Sequence, residues 1–292
     1  MTEKSSTLPE QRSRGAGVVI LLLVIPLVLG LLLSALVVPV PRIGVIRLEG
    51  EIVDFVADAL IAQINYARTD PSIRAVVLNV NSPGGGVTAS ENLYFSLLSL
   101  KETKPLIVSV DTLAASGGYF AASAGQEILG KPSSSVGNIG VVSVMPVPSF
   151  VDEDLISTGP FKLFGSSRSG YTREMEVLKQ GFLRSVRSQR GDRLKVGDEV
   201  LARGELYVGM SALQNGLLDR IGTISDAIQR AAQLAKIEHY RVNELNRIPE
   251  LKPAAPPPVA GQLQHSGGPA SGRPVRSSGL YYLYVDRAEV VQ

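Results

Sequence analysis

The sequence predicts an α/β domain on a mainly parallel sheet, and three observations carry that expectation. Apolar runs such as Ile73–Val80 ("IRAVVLNV") and "PLIVSV", ending at Val110, are nearly continuous, as in strands covered on both faces. Segments with apolar residues at helical spacing, such as Asp54–Arg68, alternate with these runs, which is the pattern of parallel α/β sheets. Two small-residue segments, "NSPGGG" and "AASGG", each lie just past a strand, where such folds bind ligands.

The elements follow in order. No charged residue stands between Arg14 and Arg42, and Gly15–Val38 ("GAGVVILLLVIPLVLGLLLSALVV") would measure roughly 36 Å as a helix at ~1.5 Å per residue. That exceeds the ~30 Å of a bilayer's hydrocarbon core. The run is longer than the apolar region of a cleaved signal peptide and closes with "ALVVPVP", a poor cleavage site, so a transmembrane helix is expected at 15–38. Arg12 and Arg14 place the N-terminal segment, 1–14, in the cytoplasm and the rest of the chain outside. "IGVIRLEGEI" reads as the first strand, Asp54–Arg68 as a helix, and Ile73–Val80 as a buried strand followed by "NSPGGG" and a helix through Leu100. "PLIVSV" leads into Ser116, and "SVGNIGVVSVMP" reads as a further strand with a glycine turn. Thr172–Arg193 is an amphipathic helix, and Ser211–Ala235 holds a helix–strand–helix pattern around "GLLDRIG".

The main domain is therefore expected at 42–244. Residues 245–279 are rich in Pro, Gly, Ser and Ala and form a disordered tether. The β-prone segment 280–292 ("LYYLYVDRAEVV" with its last residue) must pair with something: its own core, a neighbouring subunit, or the groove itself as an inhibitor.

Composition excludes several function classes. The 292 residues hold no cysteine, which removes Cys nucleophiles, thiolate metal sites and disulfides. The formal charge is +2 and the basic residues are scattered, so no nucleic acid is expected as a partner.

Ser116, flanked by Ala114, Ala115, Gly117 and Gly118, is the candidate nucleophile, because small neighbours let another backbone approach its hydroxyl. The chain has two histidines: His239 sits among surface-type residues and His265 in the tether. A triad histidine must be held by packing and by a third group, which neither position offers. Lysine remains. A free lysine titrates at about 10.4, and lowering that to about 7–8 takes ~3–4.5 kcal/mol of destabilisation of the ammonium, which apolar burial can supply. Lys162, in "STGPFKLFGSS", has Phe161, Leu163 and Phe164 around it and no acid nearer than Asp154. Its stem could equally cover an apolar surface while its head reaches water. Lys131, in "LGKPSS", is the runner-up. "NSPGGG" is neither a phosphate loop nor a dinucleotide fingerprint, but its contiguous glycines expose backbone N–H groups of the kind an oxyanion hole needs.

In order, "NSPGGGV", "AASGGYF", "GNIGV", "GPFKLFGS" and "YVGMSALQNGLLDRIG" resemble the signal peptide peptidase A family of membrane-bound serine proteases over about Arg42–Ala235. The resemblance implies a crotonase/Clp-protease-like fold and a Ser–Lys dyad with Ser116 as nucleophile and Lys162 as general base. It implies Gly85 and Gly117 as oxyanion-binding amides, and Asn138 as the lysine-positioning residue where the family often carries serine. It also implies a homo-oligomeric ring, peptide substrates such as remnant signal peptides and membrane-protein fragments, and no cofactor or metal. Three other readings share the fold: a Ser–Lys membrane protease that cuts a stomatin-like partner, a non-catalytic membrane scaffold, and an acyl-CoA enzyme.

Overall fold

A computed structural model of the chain describes residues 21–30, 40–144, 158–159, 161–162, 165–251 and 279–283. The chain divides into two units, Met1–Val40 and Pro41–Gln292. In the first, residues 21–30 are helical and exposed, apolar side chains included. Among the described residues no helix is long and apolar enough to cross a membrane. Most of the span expected at 15–38 lies outside them, as do His265 and nearly all of the tether.

The second unit is built on a ten-stranded sheet. Its strands are β1 (Arg42–Ile52), β2 (Ile73–Gly86), β3 (Leu106–Ala115), β4 (Glu127–Gly130), β5 (Ser135–Gly137), β6 (Val142–Val144), β7 (Leu206–Val208), β8 (Arg220–Ile221), β9 (Arg241–Glu244) and β10 (Gly279–Leu283). β9, β1, β2, β3, β4 and β8 run parallel in that order, and β5 joins β3 in parallel. Among the described residues, the antiparallel pairings are those of β7 with β5 and of β10 with β2 and β6. The main helices are α1 (Asp54–Thr69), α2 (Val87–Lys101), α3 (Gly117–Ser123), α4 (Arg168–Arg190), α5 (Asp198–Leu201), α6 (Gly209–Gln214) and α7 (Ile224–Ala235). The expected α/β architecture is therefore present.

Burial explains the continuous apolar runs. Val76, Val77 and Leu78 are fully buried in succession, because both faces of β2 are covered. One face, with Ile46, Leu78 and Val108, packs against α1, α2, α3 and α4. On the other, Val45, Val77 and Ile107 meet Ala227 and Ala231 of α7, whose short side chains let the helix lie close to the sheet.

Two strands run further than their apolar patterns indicate. β2 continues past Val80 through Gly86, with a register irregularity between Val80 and Ser82 that carries it past Pro83. Gly84–Gly86 are thus strand residues, and at Gly85 an added Cβ would lie 2.1 Å from the Ile52 carbonyl oxygen of β1. β3 continues past Val110 to Ala115, held by β5. Helix α4 starts at Arg168, ahead of Thr172, because the Ser167 hydroxyl accepts from the Gly170 amide at 3.0 Å, and it stops at Gly191 with φ +52°. Packing also continues past Glu244, since Leu245 is fully buried and 3₁₀ turns follow to Leu251.

The segment "GLLDRIG" is fixed to the frame by charge. Arg190, on the buried side of α4, makes paired bonds to Asp219 at 2.7 and 2.9 Å and donates to the Gly216 carbonyl at 2.9 Å. Asp219 also accepts from the Ile128 amide of β4 at 2.7 Å. The Arg190 side chain is wholly buried and that of Asp219 is 12% exposed. Removing one partner strands a buried charge, whereas replacing both by apolar groups does not. Asp219→Ala should therefore lower the urea-unfolding free energy by ~3 kcal/mol or more, and Arg190→Met/Asp219→Leu should recover most of that loss.

Candidate active site

β3 delivers its last residue, Ala115, beside Gly137 of β5, and the chain then turns sharply into α3. Ser116 makes that turn with φ 52° and ψ −122°, a conformation L-residues rarely adopt. A serine just before a helix ordinarily turns its hydroxyl back to cap the first amides, from an extended backbone. Here the backbone is not extended and the hydroxyl caps nothing. Its own amide donates to the Gly137 carbonyl at 2.9 Å, and its carbonyl accepts from the Phe120 amide at 2.8 Å. The residue is pinned by its backbone, while among the described residues Oγ forms no cap bond. Backbone strain of this kind costs about 1–3 kcal/mol, persists only where the surroundings enforce it, and is concentrated at functional sites.

The surroundings are specific. Gly118 lies so close to β2 that a Cβ would meet the Ser82 carbonyl oxygen at 2.7 Å. Phe120 stacks on Tyr94 of α2 at 4.4 Å between ring centres and meets Phe182 of α4 edge-on at 4.9 Å. The Tyr119 hydroxyl donates to the Leu217 carbonyl at 3.0 Å, and burial raises its phenol well above the usual range. Ser82, inside "NSPGGG", donates to the Gly50 carbonyl at 2.6 Å and accepts from the Gly84 amide at 3.1 Å, tying the glycine strand to the end of β1. Sequence reasoning missed Ser82, whose only local signal is a small polar residue ahead of Pro-Gly, and read Gly118 as room beside Ser116 without its contact to β2.

Of the five expected site residues, Ser116, Gly117 and Asn138 are joined through the backbone, and Gly85 lies three residues past the end of the β2–β3 ladder. Gly117 follows Ser116 and opens α3, where a first-turn amide has no acceptor within the helix. β2, carrying Gly85, pairs with β3 up to Ser82 opposite Ala114. Asn138 follows Gly137, the acceptor for the Ser116 amide. Asn138 has φ 53° and donates its side-chain amide to the Gly204 carbonyl at 2.8 Å, while its backbone amide bonds to the Glu205 carbonyl. The side chain thus ties this turn to the segment before β7.

Lys162 is the fifth. It lies in a turn whose amide bonds to the Gly159 carbonyl, and it is exposed, as is Phe161 at 49%. Among the described residues its side chain forms no hydrogen bond or ion pair, so the apolar cover expected for it is not supplied by them. Lys131 is an unsuitable base, since its ammonium pairs with Asp111 at 2.5 Å. With Arg47, Asn79, Ser109 and Thr223 it lines a cavity of about 280 Å³ that does not include Ser116. His239 is exposed beyond α7. Among the described residues no group of three or more His, Asp or Glu side chains is placed to hold a metal ion.

Residues 99–238 match peptidase family S49, and residues 39–131 match Clp protease. A relative from Synechocystis sp. is 30% identical over 193 residues, which cover 61% of this chain and 69% of that protein. The chain belongs to peptidase family S49. Protease 4 of Salmonella typhi is 32% identical over 200 residues, 64% of this chain and 32% of that protein. The chloroplastic serine protease SPPA of Arabidopsis thaliana is 30% identical over 200 residues, 62% of this chain and 29% of that protein. The chain therefore spans about a third of the length of these two S49 relatives.

The strain at Ser116 can be measured without an activity assay. Ser116→Gly and Ser116→Ala both lose the hydroxyl, but only glycine relieves the positive φ. After the extra unfolded-state entropy of glycine is deducted, Ser116→Gly should be about 1 kcal/mol more stable than Ser116→Ala in thermal denaturation. A Gly variant that melts below the Ala variant would mean the turn is not strained.

Proposed function

We infer that this S49 chain is a membrane-anchored serine endopeptidase in which Ser116 and Lys162 form a catalytic dyad. The observation that carries the reading is the turn at Ser116: a strained serine at a helix start, its hydroxyl capping nothing, ahead of the amide of Gly117 and beside the β2–β3 ladder that ends at Ser82.

In the mechanism Ser116 Oγ attacks the carbonyl carbon of a bound peptide bond, and the neutral Lys162 amine takes the hydroxyl proton. The amides of Gly85 and Gly117 hold the oxyanion of the tetrahedral intermediate. Lys162 returns the proton to the leaving amine, and a water then attacks the acyl-enzyme ester by the same route to free Ser116. Every proton is carried by the chain's own groups and water, so no cofactor or metal is required. Asn138 Oδ1, the acceptor left after Nδ2 is bonded to Gly204, is the group that would orient the lysine amine.

Desolvation of Lys162 is left to what lies outside the described residues of one chain. A homo-oligomeric ring that places a neighbouring copy over the exposed turn would supply it, as would bound substrate. The substrates are extended apolar peptides, remnant signal peptides and membrane-protein fragments, bound by strand addition. The anchor is the 15–38 segment, with the N-terminus cytoplasmic and the catalytic domain outside. The exposed leucines and valines of residues 21–30 support it, since apolar side chains left in water on a helix call for a non-aqueous partner.

The test compares detergent-solubilised wild type, Ser116→Ala and Lys162→Ala for cleavage of a fluorogenic apolar peptide across pH. Both variants should lose at least ~100-fold in kcat/KM, the lower end for a general base. Wild-type activity should rise with pH, because the base works as the free amine. An acidic optimum, or a Lys162→Ala chain with unchanged kcat/KM, places the base elsewhere. Full activity in Ser116→Ala would remove the peptidase mechanism altogether.

A further inference from the structure

The cavity of about 280 Å³ beside Lys131 has no part in the site described so far. On the α7 side of the sheet, Val45, Val77 and Ile107 form an apolar row beneath that helix. Two residues further along each strand the same face carries Arg47, Asn79 and Ser109, which stand side by side in the ladders. The face therefore turns from apolar to polar where α7 begins, at Thr223 and Ile224, and the cavity lies there. It is on the side of the carboxyl ends of the strands, where parallel sheets hold ligands.

The floor is buried and its hydrogen bonding is incomplete. Asn79 is 5% exposed; with its amide turned to suit both neighbours it donates to the Ser109 carbonyl at 3.3 Å and accepts from Arg47 Nη1 at 3.2 Å. Ser109 is 2% exposed, and among the described residues its hydroxyl has no hydrogen-bond partner. A buried hydroxyl without a partner costs stability, so packing alone would favour alanine or valine there. The charges are unfinished too. Arg47 gives Nε and Nη2 to Glu244 at 2.9 and 2.7 Å, which leaves some of its five donors unspent. At the rim Lys131 bonds to Asp111 Oδ1 at 2.5 Å, and Asp111 Oδ2 has no partner among the described residues. The Ile224 amide, in the first turn of α7, has no acceptor within the helix.

We propose that this cavity is a binding site for a small zwitterion, a free α-amino acid or a dipeptide. Arg47, the Ser109 hydroxyl and the Ile224 amide receive its carboxylate, and the open oxygen of Asp111 receives its ammonium. Charge of both signs in one cavity decides the class. A simple anion would face the Asp111 carboxylate, and a simple cation would face Arg47 and Lys131, each at a cost; a zwitterion answers both. A volume at the low end for ligand pockets, which run to ~300–1,000 Å³, limits the occupant to that size. The site is independent of the peptidase reading and goes beyond it, although molecules of this class are what a peptidase releases.

The test titrates the detergent-solubilised full chain with L-alanine and with the dipeptide Ala-Ala, by calorimetry and by melting temperature. Both should bind saturably, with Kd at or below about 1 mM. N-acetyl-alanine lacks the ammonium and alaninamide lacks the carboxylate; each should bind at least about tenfold more weakly, and inorganic phosphate no better. Ser109→Ala should weaken L-alanine about tenfold. It should leave the unliganded melting temperature equal or higher, because it removes an unsatisfied hydroxyl. Asp111→Asn should weaken L-alanine likewise and spare N-acetyl-alanine.

No saturable binding of either probe up to about 10 mM overturns the proposal. Equal affinity for phosphate or N-acetyl-alanine overturns it too, since the cavity is then an anion site. Undiminished binding in Ser109→Ala places the ligand elsewhere, such as the groove at Ser116. A lower unliganded melting temperature in Ser109→Ala would show the hydroxyl to be bonded for structure, which removes the ground for a ligand. None of these readouts depends on peptide hydrolysis.

Discussion

The site depends on two approaches of one backbone to another that only glycine permits. At Gly85 the end of β1 comes so near that a Cβ would sit 2.1 Å from the Ile52 carbonyl oxygen. At Gly118 the first turn of α3 presses on Ser82 of β2 closely enough to leave a Cβ 2.7 Å from its carbonyl oxygen. The first contact holds the glycine strand straight beyond the point where apolar side chains stop supporting it. The second fixes where α3 begins, and hence the angle the chain must take between β3 and α3. Ser116 occupies that angle, and its positive φ is the geometric consequence. Gly85 thus has a packing reason to be glycine that is independent of any oxyanion, so its identity alone cannot establish a catalytic part.

A strained turn survives only if the elements on either side cannot relax. Upstream, β3 is paired with β2, β4 and β5. Downstream, the Tyr94–Phe120–Phe182 cluster clamps α3 between α2 and α4, and the Tyr119 hydroxyl bonds to the "GLLDRIG" segment. That segment is held to α4 by the Arg190–Asp219 pair. A motif far along the chain from the nucleophile therefore shares in its positioning by anchoring the helix that follows it.

What could be read from the sequence was what is local. Continuous apolar runs gave β2 and β3, helical spacing gave α1, and small residues around one hydroxyl gave Ser116. The end of β2 escaped notice because Gly84–Gly86 are held by backbone contacts with Ile52 and β10, neither of which leaves a pattern in "NSPGGG". Arg190 and Asp219 carry no local mark of burial in their own segments, since each becomes buried only when α4 meets β4 and "GLLDRIG". Lys162 shows the converse failure. Its apolar neighbours in sequence suggested burial, yet it and Phe161 are exposed, because flanking residues do not determine what packs over a side chain. The pairing need of the C-terminal segment was legible from its β-branched and aromatic content; its partner was not, because strand addition is read by backbone.

The space between Gly84–Gly86 of β2 and Val142–Val144 of β6, which β10 fills by pairing with both, is lined by backbone on each side; a slot of that kind selects for conformation before it selects for side chains. A folded protein keeps its inner strands paired, so it cannot offer both edges of one strand to Gly84–Gly86 and Val142–Val144 at once. An unfolded apolar segment can, and such segments pair well in an environment that excludes water. This makes the slot intrinsically indiscriminate among extended chains, a hazard for any peptidase with an accessible serine.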